Sequence, residues 1–177
     1  VIGLFNTISP GGKVHDINMV SVDITGYGWV GALAGVNTGT VRDITVEGDI
    51  DGSYYVGGAI GFADGYPGGT PDYGYNGVGE NSSVKDVSTN IDLVHNNSIA
   101  GGVVGYGSGG PYADLSAQGT IHSNYTGYGG IGGTVGYGEN GAQIRRNQAD
   151  VDINATGNDE VGGLVGFLDV GSVRRSH

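Results

Sequence analysis

Apolar residues recur along this chain in short runs with a period of two, and the runs recur in a longer period. A six-residue motif marks the longer period: glycines interleaved with aliphatic or small side chains. Val161-Gly162-Gly163-Leu164-Val165-Gly166 is one copy. Ile131-Gly132-Gly133-Thr134-Val135-Gly136 and Ala100-Gly101-Gly102-Val103-Val104-Gly105 are others. Val56-Gly57-Gly58-Ala59-Ile60-Gly61 and Val30-Gly31-Ala32-Leu33-Ala34-Gly35 precede them, and a degraded copy opens the chain at Ile2-Gly3-Leu4-Phe5-Asn6. Leu4, Leu33, Ala59, Val103, Thr134 and Leu164 share one place in the motif, at spacings of 29, 26, 44, 31 and 30 residues.

Each motif is followed by a turn and a second pattern: aliphatic, two polar residues, aliphatic, polar, small or aliphatic. Val41-Arg42-Asp43-Ile44-Thr45-Val46 is one example, and Val84-Lys85-Asp86-Val87-Ser88-Thr89 another. A third alternating run follows, as in Ile91/Leu93 and Val151/Ile153, before a Gly- or Asn-rich turn. Alternation over four to seven residues, broken by Gly and Asn, predicts short strands. No run has a sustained 3.6-residue period with caps, so essentially no helix is expected. Three strands per period of about 27–30 residues predict an all-β fold, a parallel β-helix-like solenoid of about six coils. At roughly 4.8 Å per coil the rod would be roughly 25–30 Å long.

The 44-residue spacing marks an inserted loop at 62–82 in a single repeat domain spanning 1–177. A smaller bulge, Gly107-Ser108-Gly109-Gly110, sits at the same phase one coil later, so both are expected on one face.

Composition narrows the function. Glycine supplies 39 of 177 residues, without the three-residue period of collagen. The formal net charge is −11, and aspartate outnumbers glutamate 14 to 4. That balance argues against nucleic acid and anionic lipid, leaves room for divalent cations, and suits a salty habitat. There is no cysteine, so disulfide and thiolate chemistry are out. No stretch reaches the roughly 20 apolar residues of a membrane helix, so no direct membrane insertion is expected. The chain opens and stops inside a repeat, and is read as a segment of a longer protein.

The glycine motif and its trailing strand pattern resemble the GLUG repeat, through the core Gly163-Leu164-Val165-Gly166 and its upstream copies. The resemblance covers nearly the whole chain. It implies a β-solenoid module of a secreted or surface-displayed protein, as in large adhesins and the non-catalytic region of some immunoglobulin A-cleaving metallopeptidases. It implies no catalytic residues, and no family role reaches the 62–82 insertion.

Candidate chemistry is sparse. The two polar positions of the second pattern form adjacent columns: His15, Arg42, Lys85, Ala113, Arg145, Arg174, beside Asp16, Asp43, Asp86, Asp114, Arg146, Arg175. Diagonal ion pairing between coils is the first reading; calcium held by Asp43 and Asp86 is the second. Phe62, Tyr106, Tyr137 and Phe167 follow the motif at one phase and would stack as a ladder; a sugar-binding strip is the alternative. The inserted loop is the better ligand candidate, with Tyr66, Tyr73 and Tyr75 set among Gly and Pro, and Asp72 beside them. His15, His95, His122 and His177 fall at different phases, no His-Glu-x-x-His motif occurs, and no nucleophile has a base beside it. Asp150 and Asp152 alternate as they would on a solvated strand. Asn81, Asn96, Asn124 and Asn154 open Asn-x-Ser/Thr sequons.

The reading that follows is a non-enzymatic surface module, part of an adhesin or extracellular filament, showing loops at fixed spacing on a rigid rod. Its partners would be adjacent repeats or identical subunits stacked head to tail, and a cell-surface glycan or protein. A glycan-binding module centred on the 62–82 loop is the alternative, and an accessory region of a secreted protease or polysaccharide-active enzyme a second. Within this frame the glycines serve close approach between coils, and Gly102→Val is expected to be destabilising by overpacking.

Overall fold

The computed structural model describes residues 1–65, 82–157 and 160–177. The described residues contain no helix and are wound as a parallel β-solenoid of about 5 turns. Six motif copies bound five full periods, and a partial coil lies beyond the last motif.

A six-stranded parallel sheet begins where each motif ends. It runs β1 (Phe5–Ile8), β3 (Ala34–Asn37), β5 (Ile60–Gly65), β8 (Val104–Gly109), β11 (Val135–Glu139) and β15 (Val165–Leu168). Its register pairs Phe5, Ala34, Ile60, Val104, Val135 and Val165 in turn, so the spacings in sequence are the coil lengths in space. The other legs form a ten-stranded sheet. Its long members are β2 (Lys13–Gly31), β4 (Thr40–Gly57), β6 (Ser83–His95) and β9 (Pro111–Ser123), continued by β12 (Ala142–Arg145), β13 (Gln148–Ala155) and β16 (Gly171–Arg174). The short strands β7 (Ile99–Gly101), β10 (Gly130–Gly132) and β14 (Glu160–Gly162) lead into the last three motifs.

The second pattern is a corner rather than a straight strand. Val41 and Ile44 are both buried while Arg42 and Asp43 are both exposed. An extended chain cannot put residues three apart on one face. The reason is at the second polar position, where Asp16, Asp43, Asp86, Asp114, Arg146 and Arg175 all adopt left-handed backbone, with φ 58°, 53°, 51°, 56°, 53° and 54°. One such residue reverses the alternation. Asp is among the few non-glycine residues that tolerate this region, because its short polar side chain bonds locally.

The glycine motif is the other corner. One strand ends at its second residue, two residues bend, and the next strand starts at the fifth. A Cβ on Gly105 would lie 2.7 Å from the Gly61 carbonyl oxygen and 2.9 Å from the Val56 nitrogen. The two sheets therefore meet backbone to backbone here, a separation only glycine permits.

The core is a stack of columns. Val41, Val84, Tyr112 and Ile144 are in register and buried, as are Ile50, Leu93 and Ile121. Tyr112 fits because Gly107 is bare: a Cβ there would lie 2.8 Å from the phenol ring. The Tyr112 hydroxyl donates to the Ala63 carbonyl at 3.1 Å, and burial pushes its pKa up. Gly107-Ser108-Gly109 is not a bulge. It continues β8, pairing Ala63, Asp64 and Gly65 of β5, and both strands are longer than β3 for that reason.

Candidate functional site

The corner at the left-handed residues carries most of the basic side chains. His15 lies 2.6 Å from Asp16, Arg42 pairs with Asp43, and Lys85 lies 3.7 Å from Asp86. The expected pairing between coils is thus replaced by pairing within a coil. The left-handed residue turns consecutive side chains to the same side, where they meet each other first. Among the described residues Arg146 makes the pair that crosses coils: its Nε and Nη2 donate to Asp114 at 2.7 and 2.6 Å. Those hydrogen bonds hold the Asp114 carboxyl below the usual carboxylate range. Asp43 and Asp86, the calcium candidates, are thus each occupied by the basic residue preceding them. No group of three or more His, Cys, Asp or Glu converges among the described residues.

Beyond Asp114 the acid column turns basic. Arg145 is in register with Arg174, and Arg146 and Arg175 follow them in the left-handed position. These four arginines line one pocket of about 210 Å³.

The aromatic ladder forms, and it is longer than the sequence pattern marked. Phe62–Tyr106, Tyr106–Tyr137 and Tyr137–Phe167 have ring centroids 5.3, 5.1 and 4.8 Å apart. Trp29 joins at 5.1 Å from Phe62, and Tyr55 at 4.8 Å from Tyr106. With Val36 and Ile99, the rings of Trp29, Tyr55 and Phe62 form a second apolar cluster, separate from the main core, against which Tyr106 and Tyr137 pack. Trp29, Tyr55 and Phe62 are buried, whereas Tyr106, Tyr137 and Phe167 are half-buried. Burial, and then a hydrogen bond to Glu139, raises the Tyr106 pKa.

Tyr66, Asp72, Tyr73, Tyr75 and Asn81 lie outside the described residues. The root of the insertion is described. Ser82 Oγ accepts from Asn37 Nδ2 at 3.3 Å and donates to the Asn37 carbonyl at 3.4 Å. A Cβ on Gly65 would lie 2.9 Å from the Ser82 carbonyl oxygen. The chain thus leaves and re-enters the rod at the turn that Thr38-Gly39 makes one coil earlier.

Asn96 and Asn124 face solvent on successive coils. Asn124 Nδ2 donates to Asn96 Oδ1 at 3.0 Å, and Asn96 Nδ2 to Asp51 Oδ1 at 2.9 Å. Asn154, also exposed, sits in register with His122.

Two features carry no obvious mark in the sequence. His95 is fully buried, at an inward column whose other members are Gly26, Gly52, Ser123 and Ala155. Its Nδ1 lies 3.2 Å from Ser123 Oγ, and desolvation lowers its pKa, against the backbone groups of Asn97 and Tyr54, which raise it. Asn147 replaces an aliphatic residue in the core; its Oδ1 accepts the Leu115 N–H at 3.1 Å, a ladder bond no aliphatic side chain could make. The small residues flanking His95 in its column are the signal that marks a cavity able to hold an imidazole.

No protein-family model matches the chain, and no solved structure does. A stretch of 60 residues is 35% identical to halomucin of Haloquadratum walsbyi. It spans 34% of this chain and 1% of halomucin.

Proposed function

We propose that this β-solenoid is a non-enzymatic structural and adhesive module of a secreted or cell-surface protein. The observation that carries the proposal is the parallel inter-coil register, shifted by one residue between Met19 and Val22 of β2, which repeats one left-handed corner every turn and roots the 62–82 insertion at one turn of the rod. Such a scaffold presents surface groups at a fixed step of about 4.8 Å. The acidic, lysine-poor surface and the stretch shared with halomucin support an extracellular setting. Membership among GLUG repeats belongs to the same proposal and rests on the recurring motif. At one end Val161 and Val173 are 47% and 44% exposed; adjacent coils or an identical subunit would cover them and continue the ladder.

Antibodies against the chain are expected to label intact producing cells or their medium, and beads coated with the chain are expected to adhere to those cells. Label found only after lysis would refute the surface setting, and coated beads that adhere no better than bare ones would refute adhesion. The closed root at Asn37 and Ser82 keeps a second reading, glycan capture by the inserted loop. There, Tyr66, Tyr73 and Tyr75 to Ala would abolish glycan-array binding.

A further inference from the structure

Five arginines occur in the chain, and four of them stand at one corner of two successive coils. Two upstream coils neutralise this corner within themselves, through Arg42–Asp43 and Lys85–Asp86, and in the first coil His15 lies against Asp16. In the last two coils arginine replaces aspartate, so Arg145 stacks on Arg174 and Arg146 is followed by Arg175. Like charges on neighbouring strands repel. Among the described residues one of the four is compensated by a carboxylate, Arg146 by Asp114. Arg145 has an Nε without a partner among the described residues, its Nη2 being given to Gln143. The left-handed backbone at Arg146 and Arg175 is unfavourable for arginine, yet it is what turns consecutive guanidinium groups to one side. Guanidinium forks match planar or tetrahedral oxyanions in bidentate geometry.

The surroundings indicate what carries the oxyanion. Two residues beyond Arg146 and Arg175, Gln148 and His177 line a polar hollow with Ser116, Gln118 and Asp150. Ser116 and Gln118 also line the next hollow, which runs across Asn90, Ser88, Thr45 and Asn18. The result is a trough along the rod, lined by hydroxyls and amides in strand register and starting beside the arginines. Glu47 and Asp150 on its wall add acceptors suited to sugar hydroxyls.

We propose that Arg145, Arg146, Arg174 and Arg175 hold a carboxylate or sulfate group of an acidic polysaccharide, whose sugar chain follows the adjoining hydroxyl- and amide-lined trough. The proposal does not depend on the 62–82 loop or on the rod being adhesive. A net charge of −11 opposes indiscriminate attraction of polyanions, so measured binding would report a local site.

The test uses the whole chain at fixed ionic strength with four probes: dextran sulfate, polygalacturonate, neutral dextran and polyglutamate. Binding of dextran sulfate or polygalacturonate, with neither dextran nor polyglutamate retained, is expected, and whichever binds identifies sulfate or carboxylate. Arg174→Gln with Arg175→Gln is expected to weaken it about tenfold per arginine, at an unchanged far-ultraviolet spectrum. Arg145→Gln, one coil inward, serves the same purpose should the last coil fray. Gln148→Ala is expected to weaken polysaccharide binding, and Arg42→Gln, at the distant paired corner, to leave it unchanged. No binding of either acidic polysaccharide, or equal binding by the arginine variants, overturns the proposal. Equal affinity for polyglutamate also overturns it, and points instead to an acidic protein partner.

Discussion

Gly102 and Gly163 occupy the same place in two copies of the motif, yet they should respond oppositely to alanine. A Cβ on Gly102 falls 2.7 Å from Ala117 Cβ and closer still to the Gly133 carbonyl oxygen of the next coil. A Cβ on Gly163 meets nothing within 4 Å. Neither has positive φ, so the difference is one of space and not of backbone conformation. Relief at Gly102 requires the next coil to retreat by on the order of 1 Å, against the steep wall of the contact potential. That movement strains the bonds from Gly102 N to Gly132 O, 3.2 Å, and from Val103 N to Thr134 O, 3.0 Å. The two effects are overpacking, about 1–3 kcal/mol, and weakening of bonds worth about 0.5–1.5 kcal/mol each. Ala32 shows how a coil accommodates a methyl at this place: its N–H bonds to the third-place carbonyl of Gly58 at 3.4 Å, where Gly58 and Gly102 bond to the second-place carbonyls of Gly101 and Gly132 at 3.1 and 3.2 Å. The ladder changes partner and lengthens rather than breaks, which puts Gly102→Ala near 2 kcal/mol and Gly102→Val near 4 kcal/mol. At about 2–4 °C per kcal/mol, the midpoints should fall by about 4–8 °C and 8–16 °C. In the monomeric chain, where Gly163 faces the open end of the stack, Gly163→Ala should be neutral or stabilising by up to about 1 kcal/mol, because alanine restricts the unfolded chain. Thermal and urea melts followed by circular dichroism measure all three. Equal shifts for Gly102→Ala and Gly163→Ala would refute coil contact as the reason for the glycines.

Other expectations follow from the same geometry. His95 has a folded pKa below its ordinary 6.5, so stability is complete above that pH and is lost as pH falls towards the lowered value. The loss has a slope of up to about 1.4 kcal/mol per pH unit; His95→Ser should remove it, and identical pH profiles for the two proteins would disprove the burial argument. At the left-handed corner, Asp43→Gly should be tolerated while Asp43→Val costs about 1–2 kcal/mol, and equal urea midpoints would contradict the corner assignment. Phe62→Ala should cost about 3–5 kcal/mol and shift Trp29 emission, since the two rings stack 5.1 Å apart; unchanged emission would place the indole elsewhere. Because Asp43 and Asp86 already hold Arg42 and Lys85, a chelator should leave the melting midpoint where it is, and a lowered midpoint would restore the calcium reading.

The sequence by itself determined the period and the strand-rich class. Repetition leaves a record that needs no knowledge of space: the spacing from Ala59 to Val103 is the same 44 residues that separate Ile60 from its partner Val104. The aromatic ladder was half legible for the same reason. Phe62, Tyr106, Tyr137 and Phe167 share a phase, whereas Trp29 and Tyr55 precede the motif and reach the same stack only because the corner folds one sheet against the other. Tertiary structure alone decided the rest. A string of letters shows that Arg42 and Asp43 are neighbours, but not that a left-handed residue turns both outward and lets them pair with each other. It shows four histidines, but not that only His95 enters a column kept open by Gly26 and Gly52. It shows arginine in place of aspartate, but not that the same corner gathers four guanidinium groups around one pocket. The physical reason is common to all of these: periodicity is a property of the chain, whereas close approach, burial and unpaired charge arise only between coils and exist once the coils are stacked.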